Sequence, residues 1–304
     1  MSIVVFGTVF VDIKGHPHGT YIPDGRNAGH IEQVHGGVGR NVAENIGNCE
    51  LRPTLISIVD RTGIGEDVLN KLRNHKVNVD YCLRTDDGMG TWLAIFDHTG
   101  DVVANVSQRP NMEPLCDVLD AHGDDIFANA DSIVVEIDMG TELVKKIYDL
   151  AEKHNKTVYV VVSNMSIAMR RRDLLMRSGC IICNEQEAGI LFAEDYMQMT
   201  PEELAPIIQE KARQAGYQRM VVTMGGAGAV YTERDGDTGT VPAKKVEVCD
   251  TTGAGDAFFS GVTIGLTYGK TLKESCLIGT KLAAAAITTM ENVCPRFLPA
   301  ELGL

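Results

Sequence analysis

From residue 53 onward, short runs rich in Val and Ile alternate with segments whose apolar residues recur at helical spacing. Strand-type runs fall at 53–59, 77–83, 132–137, 157–162, 179–183 and 219–224. Helical patterns fall at 64–74, 141–154, 168–177, 185–193, 201–215, 254–268 and 271–289. On the first of these, Val68, Leu69 and Leu72 share one face. A strand that must return parallel to its neighbour needs a crossover, so this alternation predicts an α/β fold with a central, mostly parallel sheet covered by helices on both faces. The N-terminal run IVVFGTVFV, residues 3–11, predicts the first strand. Two segments interrupt the pattern, at about 14–35 and 89–108. The second has extended runs on either side of Asp97-His98-Thr99-Gly100, a hairpin signal. Both are too polar and glycine-rich for central strands. They are expected to pair as a small sheet over one edge of a single body, residues 1–304. Residues 231–248 form a further strand-rich patch around an acidic, glycine-rich turn.

The balance of residues limits the partners. With 304 residues, 44% of them hydrophobic, the chain can bury a large core. A net charge of −13 argues against nucleic acid or an anionic membrane surface as a partner. It leaves room for a nucleotide, which needs only a local cluster of donors. No basic, apolar leader and no bilayer-length apolar run is visible. The eight cysteines are scattered and read as reduced thiols, which predicts a cytoplasmic protein. Cys180 and Cys183 form a C-x-x-C within an apolar strand-type run, with no second thiol pair or His-x-His beside it. They read as small buried side chains, and His16 and His18 as residues of a loop.

Chemistry is concentrated in Asp250 to Gly261, DTTGAGDAFFSG. Thr251 and Thr252 lead into Gly253-Ala254-Gly255, then Asp256, then an apolar run. This reads as a tight turn opening a helix. The first amides of a helix have no partner inside it and form an anion site. A carboxylate there would repel phosphate, unless its task is to take a proton from a hydroxyl beside the anion. That pairing of base and backbone dipoles suits phosphoryl transfer, while the stretch taken alone reads equally as a glycine-softened helix N-terminus with an acid favourable to the dipole.

Four more features lie at expected loops or strand ends, where α/β proteins place ligands. They are Asp12, the run Gly36-Gly37-x-Gly39-x-Asn41, the segment Asn184-Glu185-Gln186-Glu187, and Thr223-Met224-Gly225-Gly226-Ala227-Gly228. Singly, each has a structural reading: Asn184 as a helix N-cap, Glu187 as an acid in a first turn, the glycines as a turn. Together and in this order they resemble the ribokinase-like, or PfkB, carbohydrate kinase family over nearly the whole chain. A G-x-x-x-x-G-K-[ST] phosphate loop is absent.

The resemblance implies an ATP-dependent kinase of a small sugar or nucleoside. Asp256 matches the family's catalytic base, and Gly253, Ala254 and Gly255 its anion hole. Asp12, Gly37 and Asn41 match positions that hold substrate hydroxyls. Asn184 and Glu187 match the N-x-x-E that organises Mg²⁺ and its waters near the phosphates. Thr223, Gly225 and Gly228 match the loop under the nucleotide. Asp250 and Thr252 resemble ligands of a monovalent cation, often K⁺. The two interrupting segments match a β-sheet lid, which in several members also forms a homodimer contact. The runs GGVGRNVAENI and MVVTMGGAGAVY are most similar to pseudouridine kinases, which points to the 5′-hydroxyl of pseudouridine. Alternatives are a ribokinase- or fructokinase-type sugar kinase, or a binding protein without turnover. Ser163-Asn164-Met165-Ser166 departs from the family by lacking an Asp-Pro. Trp92, the only tryptophan, lies in the second interrupting segment and reads either as stacking on a base or ring or as packing within the small sheet. Arg109 and Asn111 end that segment as residues that either reach a substrate or stand in an exposed loop.

Overall fold

The computed structural model describes residues 1–98 and 101–304. Thr99 and Gly100 of the expected hairpin turn lie outside the described residues. In chain order the strands are β1 (Ile3–Phe6), β2 (Phe10–Pro17), β3 (Gly29–Gly36), β4 (Thr54–Ile56), β5 (Ile58–Asp60), β6 (Leu83–Thr85), β7 (Gly90–Phe96) and β8 (Val102–Gln108). They continue with β9 (Ser132–Glu136), β10 (Thr157–Val161), β11 (Cys180–Asn184), β12 (Arg219–Thr223), β13 (Ala229–Glu233) and β14 (Thr238–Val241). The helices are α1 (Val38–Asn48), α2 (Gly63–Asn74), α3 (Leu115–Asn129), α4 (Thr141–Lys153) and α5 (Met165–Ala168). After these come α6 (Arg172–Arg177), α7 (Glu185–Phe192), α8 (Pro201–Ala215), α9 (Ala254–Thr267) and α10 (Leu272–Ala286).

Eight strands form the main sheet in the order β14-β13-β12-β11-β10-β9-β1-β4. Pairing is parallel from β4 through β12 and antiparallel at β13 and β14. The sheet is apolar on both faces because both are covered. Ile133 and Val135 of β9 face one core with α3, α4 and α8, whereas Val134 faces a second core with α1, α2, α9 and α10. All parallel strands end on one edge, and every segment expected to carry chemistry leaves from there or faces it.

Several local expectations change. The apolar run 3–11 is two strands in two sheets: β1 ends at Phe6 and β2 starts at Phe10. At the crossing, the Thr8 amide and hydroxyl donate to the buried Glu136 carboxylate at 2.8–3.0 Å. The run 53–59 divides at Ser57, whose hydroxyl donates to the Gly7 carbonyl at 2.6 Å. Apolar runs look alike in either sheet, so hydrophobicity alone does not reveal the switch. The strand expected over 77–83 reduces to a bridge between Asn78 and Thr54, and β6 starts only at Leu83. Helix α3 has no counterpart in the sequence reading, because Gly123 and several Asp obscure its period. The helix expected at 168–177 is α5 and α6 joined by a 3₁₀ turn, and α10 stops at Ala286 rather than 289. His16 lies in β2, not in a loop. Cys180 and Cys183 are buried thiols of β11, as expected.

The two interrupting segments join in a four-stranded sheet, β3-β2-β7-β8, over residues 10–36 and 90–108. Among the described residues, no helix is long and apolar enough to cross a membrane.

Candidate active site

The turn before α9 is the most constrained part of this edge. Gly253 is the N-cap of α9 with φ 79°, a left-handed conformation that suits glycine. A Cβ there would lie 2.0 Å from the Asn292 carbonyl oxygen. The helix therefore starts hard against the 290s loop. Ala257 N–H donates back to the Gly253 carbonyl at 2.9 Å, while the Gly255 and Asp256 amides have no partner within the helix. Asp256 stands in this first turn, half-buried.

Helix α1 supplies its neighbour. Gly37, at φ 96°, caps α1, which begins at Val38. Asn41 thus lies in the first turn and is buried. Its Nδ2 donates to Asp256 Oδ2 at 2.7 Å. Its Oδ1 is buried without a hydrogen-bond partner. Burial pushes the Asp256 carboxyl up to about 6, against the lowering effects of the Asn41 bond and the Arg40 charge.

Arg40, which the sequence reading did not single out, holds these parts together. It is fully buried. Its Nη1 donates to Glu44 Oε2 at 2.6 Å, its Nε to the Gly36 carbonyl at 3.3 Å, and its Nη2 to Asn292 Oδ1 at 3.0 Å and to the His35 carbonyl. Asn292 Nδ2 donates to the same His35 carbonyl at 2.9 Å. The end of β3, α1 and the loop behind Gly253 therefore share one guanidinium. Nothing in the sequence marked Arg40 except a charge among glycines.

Asp12 sits within β2, its carboxylate against Gly36, where a Cβ would meet its oxygens at 2.4–2.5 Å. Burial raises its pKa, and Arg40 and Lys14 oppose the rise. Asp250 accepts from Thr252 N–H and Oγ1–H, both at 2.8 Å, through Oδ1, while Lys14 Nζ approaches its Oδ2 at 3.9 Å. Burial opposes ionisation, yet the Thr252 bonds and Lys14 together hold that carboxyl below its ordinary range.

Thr223, Gly225 and Gly228 line a cavity of about 600 Å³ with Val246, Val248, Phe258 and Ile287. Ala254 and Gly255 also line it. An apolar slot ending at helix-start amides suits a flat base attached to phosphates. Asn184 lies opposite Thr223 in the β11–β12 register. It and Glu187 make a reciprocal capping box, with both bonds at 2.8 Å. Neither lines the cavity. Burial raises the Glu187 pKa, and among the described residues its Oε1 makes no hydrogen bond.

The sequence reading also missed Glu136 and Asp138 at the end of β9. Burial, then repulsion from Asp138, pushes Glu136 up to about 7. Ser163 donates to it at 3.3 Å and Asn164 caps α5, so these residues serve where an Asp-Pro was expected. Asp138 pairs with Arg109, which ties the end of β8 to the body. Asn111 accepts from the Glu113 amide at 3.0 Å in a local turn.

The pfkB family carbohydrate kinase pattern matches residues 1–293. The chain belongs to the pfkB family. It is a phosphotransferase with an alcohol group as acceptor, a kinase of the sugar and nucleoside type. This pfkB kinase is 36% identical to the guanosine-inosine kinase of Exiguobacterium acetylicum over 98% of its own chain and 99% of that protein. To the pseudouridine kinase of Escherichia coli it is 26% identical, over 94% and 90%. Likeness to pseudouridine kinase is thus the weaker of the two. Among solved structures, the ribokinase of Arabidopsis thaliana complexed with ribose and ATP superposes with a TM-score of 0.86 at 18% identity, covering 99% of this chain and 97% of that one. The ribokinase-like α/β fold follows.

Proposed function

We propose that this kinase transfers the γ-phosphoryl group of ATP to the 5′-hydroxyl of a purine ribonucleoside, with guanosine and inosine as first candidates. Pseudouridine stands second. The observation that carries the reading is the Asn41–Asp256 pair at the mouth of the α9 amides, with Asn41 Oδ1 buried and unpartnered. A substrate hydroxyl would donate to that oxygen. The 36% identity to a guanosine-inosine kinase over nearly both full lengths supports the choice of acceptor.

In this reading Asp256 takes the proton of the attacking hydroxyl. Asn41 holds the carboxylate in line, and the amides of Gly253 and Gly255 steady the negative charge that develops, while the Ala254 amide, expected to join them, donates to the Thr251 carbonyl at 3.2 Å. Asp12, Gly37 and Asn41 bind sugar hydroxyls. The slot bounded by Thr223, Gly225 and Gly228 takes the nucleotide.

Mg²⁺ held chiefly by waters and phosphates needs few protein ligands, and Glu187 with its free Oε1 and Asn184 beside it fit that role. When bound, the ion would neutralise charge on the transferred phosphates. Asp250 and Thr252 fit a monovalent cation poorly, because Asp250 already faces Thr252 and the Lys14 ammonium.

The small sheet acts as a lid that excludes water. Its outer face carries Ile31, Leu93 and Val106 at 73, 42 and 67% exposure, a surface suited to contact with a second copy. Eight free thiols suit a reducing cytoplasm.

A coupled ADP-release assay over guanosine, inosine, adenosine, pseudouridine, uridine, ribose and fructose tests the reading. Guanosine or inosine is expected to give the highest kcat/KM. Turnover of ribose or fructose above every nucleoside would overturn it.

A further inference from the structure

The inner face of the small sheet holds groups that proton transfer does not use. In the β2–β7 register Asp12 is the partner of Trp92, and Lys14 of Ala94. Side chains of paired residues share a face, and alternate residues return to it. Trp92 and Phe96 therefore project on the same side as Asp12, Lys14 and His16. That side looks into the cleft, because Lys14 reaches Asp250 before α9 and Asp12 lies against Gly36.

Trp92 is the only tryptophan of the chain. It meets Phe96 edge-on, with ring centroids 6.3 Å apart at 88°. Phe96 in turn stacks on His16 at 4.8 Å and 15°. A packing role would explain such a strip if it joined the core. Neither Trp92 nor Phe96 belongs to either buried cluster or packs against one. Trp92 stays half-buried, and its partner across β8 is the exposed Ser107. An aromatic strip that starts beside the carboxylate assigned to sugar hydroxyls, on the cleft side and outside the core, has an unmatched flat surface.

We propose that Trp92 is the platform on which the base of the nucleoside substrate stacks, with Phe96 and His16 fixing its plane. The inference rests on the ribonucleoside reading above. With ribose hydroxyls at Asp12, the next position across the sheet is about 5 Å away, the spacing of neighbouring strands, and it is Trp92. A base attached to that ribose meets the indole. A free sugar does not reach it and gains nothing from it.

The lone indole makes the test direct. Titration of the full-length protein with inosine or guanosine is expected to quench its tryptophan emission saturably, at the concentration where calorimetry reports binding. Trp92→Ala is expected to raise KM for these nucleosides about 10- to 100-fold, as loss of a base–aromatic stack does, with kcat changed less than about threefold. Trp92→Phe is expected to restore KM to within about threefold. The restored KM separates stacking from mere closure of the sheet, which any bulky apolar residue such as Leu would support equally. The inference is overturned if calorimetry reports nucleoside binding with unchanged emission. It is equally overturned if Trp92→Ala keeps its KM, or if Trp92→Leu rescues as well as Trp92→Phe. If no nucleoside binds or is phosphorylated, the ribonucleoside reading fails first and this inference falls with it.

Discussion

The turn that opens α9 and the small sheet across from it are held in opposite ways. Gly253 is wedged against the Asn292 carbonyl, Asp256 is bonded by Asn41, and Arg40 ties both partners to the body through buried groups. The small sheet is tied down at one end, where Arg40 holds His35 and Gly36 of β3 and Val11 of β2 joins the core, and beyond that end it reaches the body through ion pairs. Lys14 reaches Asp250, Arg109 reaches Asp138, and β8 is exposed along its whole length. The first region cannot shift without breaking several buried bonds. Away from the held end of β3, the second can move against it by giving up the Lys14 and Arg109 ion pairs. A kinase needs both: fixed dipoles where charge develops, and a cover that admits the acceptor and then excludes water.

The largest effect should come from the fixed region. Asp256→Asn is expected to lower kcat by roughly 10²–10⁴-fold, with ADP affinity by calorimetry changed less than about twofold. An unchanged rate would remove the base from that position. Next, Gly253→Ala forces a methyl into the Asn292 carbonyl at a positive φ and is expected to cost about 2 kcal/mol or more in denaturant unfolding. The same change at Gly19, beyond β2, meets nothing within 4 Å and should stay within about 0.5 kcal/mol. Equal costs would erase the contrast between the two regions.

The third expectation concerns pH. Burial raises the Asp256 carboxyl to about 6, and the base acts only when ionised. As pH falls below that value, log kcat/KM should drop with a slope approaching one per unit, while above it the rate is flat. A profile already flat at pH 5 would mean that the carboxylate is not held where Asn41 bonds it. The smallest effect on turnover belongs to the outer face of the small sheet. Val106→Lys should leave kcat per protomer within about twofold while shifting sedimentation toward monomer. A wild-type chain that sediments as a monomer would remove that surface as a contact.

Much of the fixed region was legible as a linear pattern. DTTGAGD is contiguous, and its glycines, acid and following apolar run each follow from local backbone physics. The parallel sheet was equally legible, since strand–helix alternation is a local signal repeated many times. The reading failed where meaning depended on a distant partner. The run 3–11 looked like one strand because apolar alternation is the same in both sheets. Asn184 and Glu187 are a local case instead: they form the helix start that the sequence also offered, as a capping box, and their Mg²⁺ role stays a proposal. Asp250 was expected to hold a cation, and a lysine from β2 lies beside it.

By itself the sequence determined the α/β architecture and the turn at 250–256, because each arises from neighbours along the chain, and the class of chemistry, through the ordered set of motifs it shares with the pfkB family. Only the tertiary structure decided that Asn41 bonds Asp256 from 215 residues away, that Arg40 anchors the 290s loop, and that Trp92 stands beside Asp12. Those contacts are formed by strand register and helix packing, which bring together residues that no spacing in the chain connects.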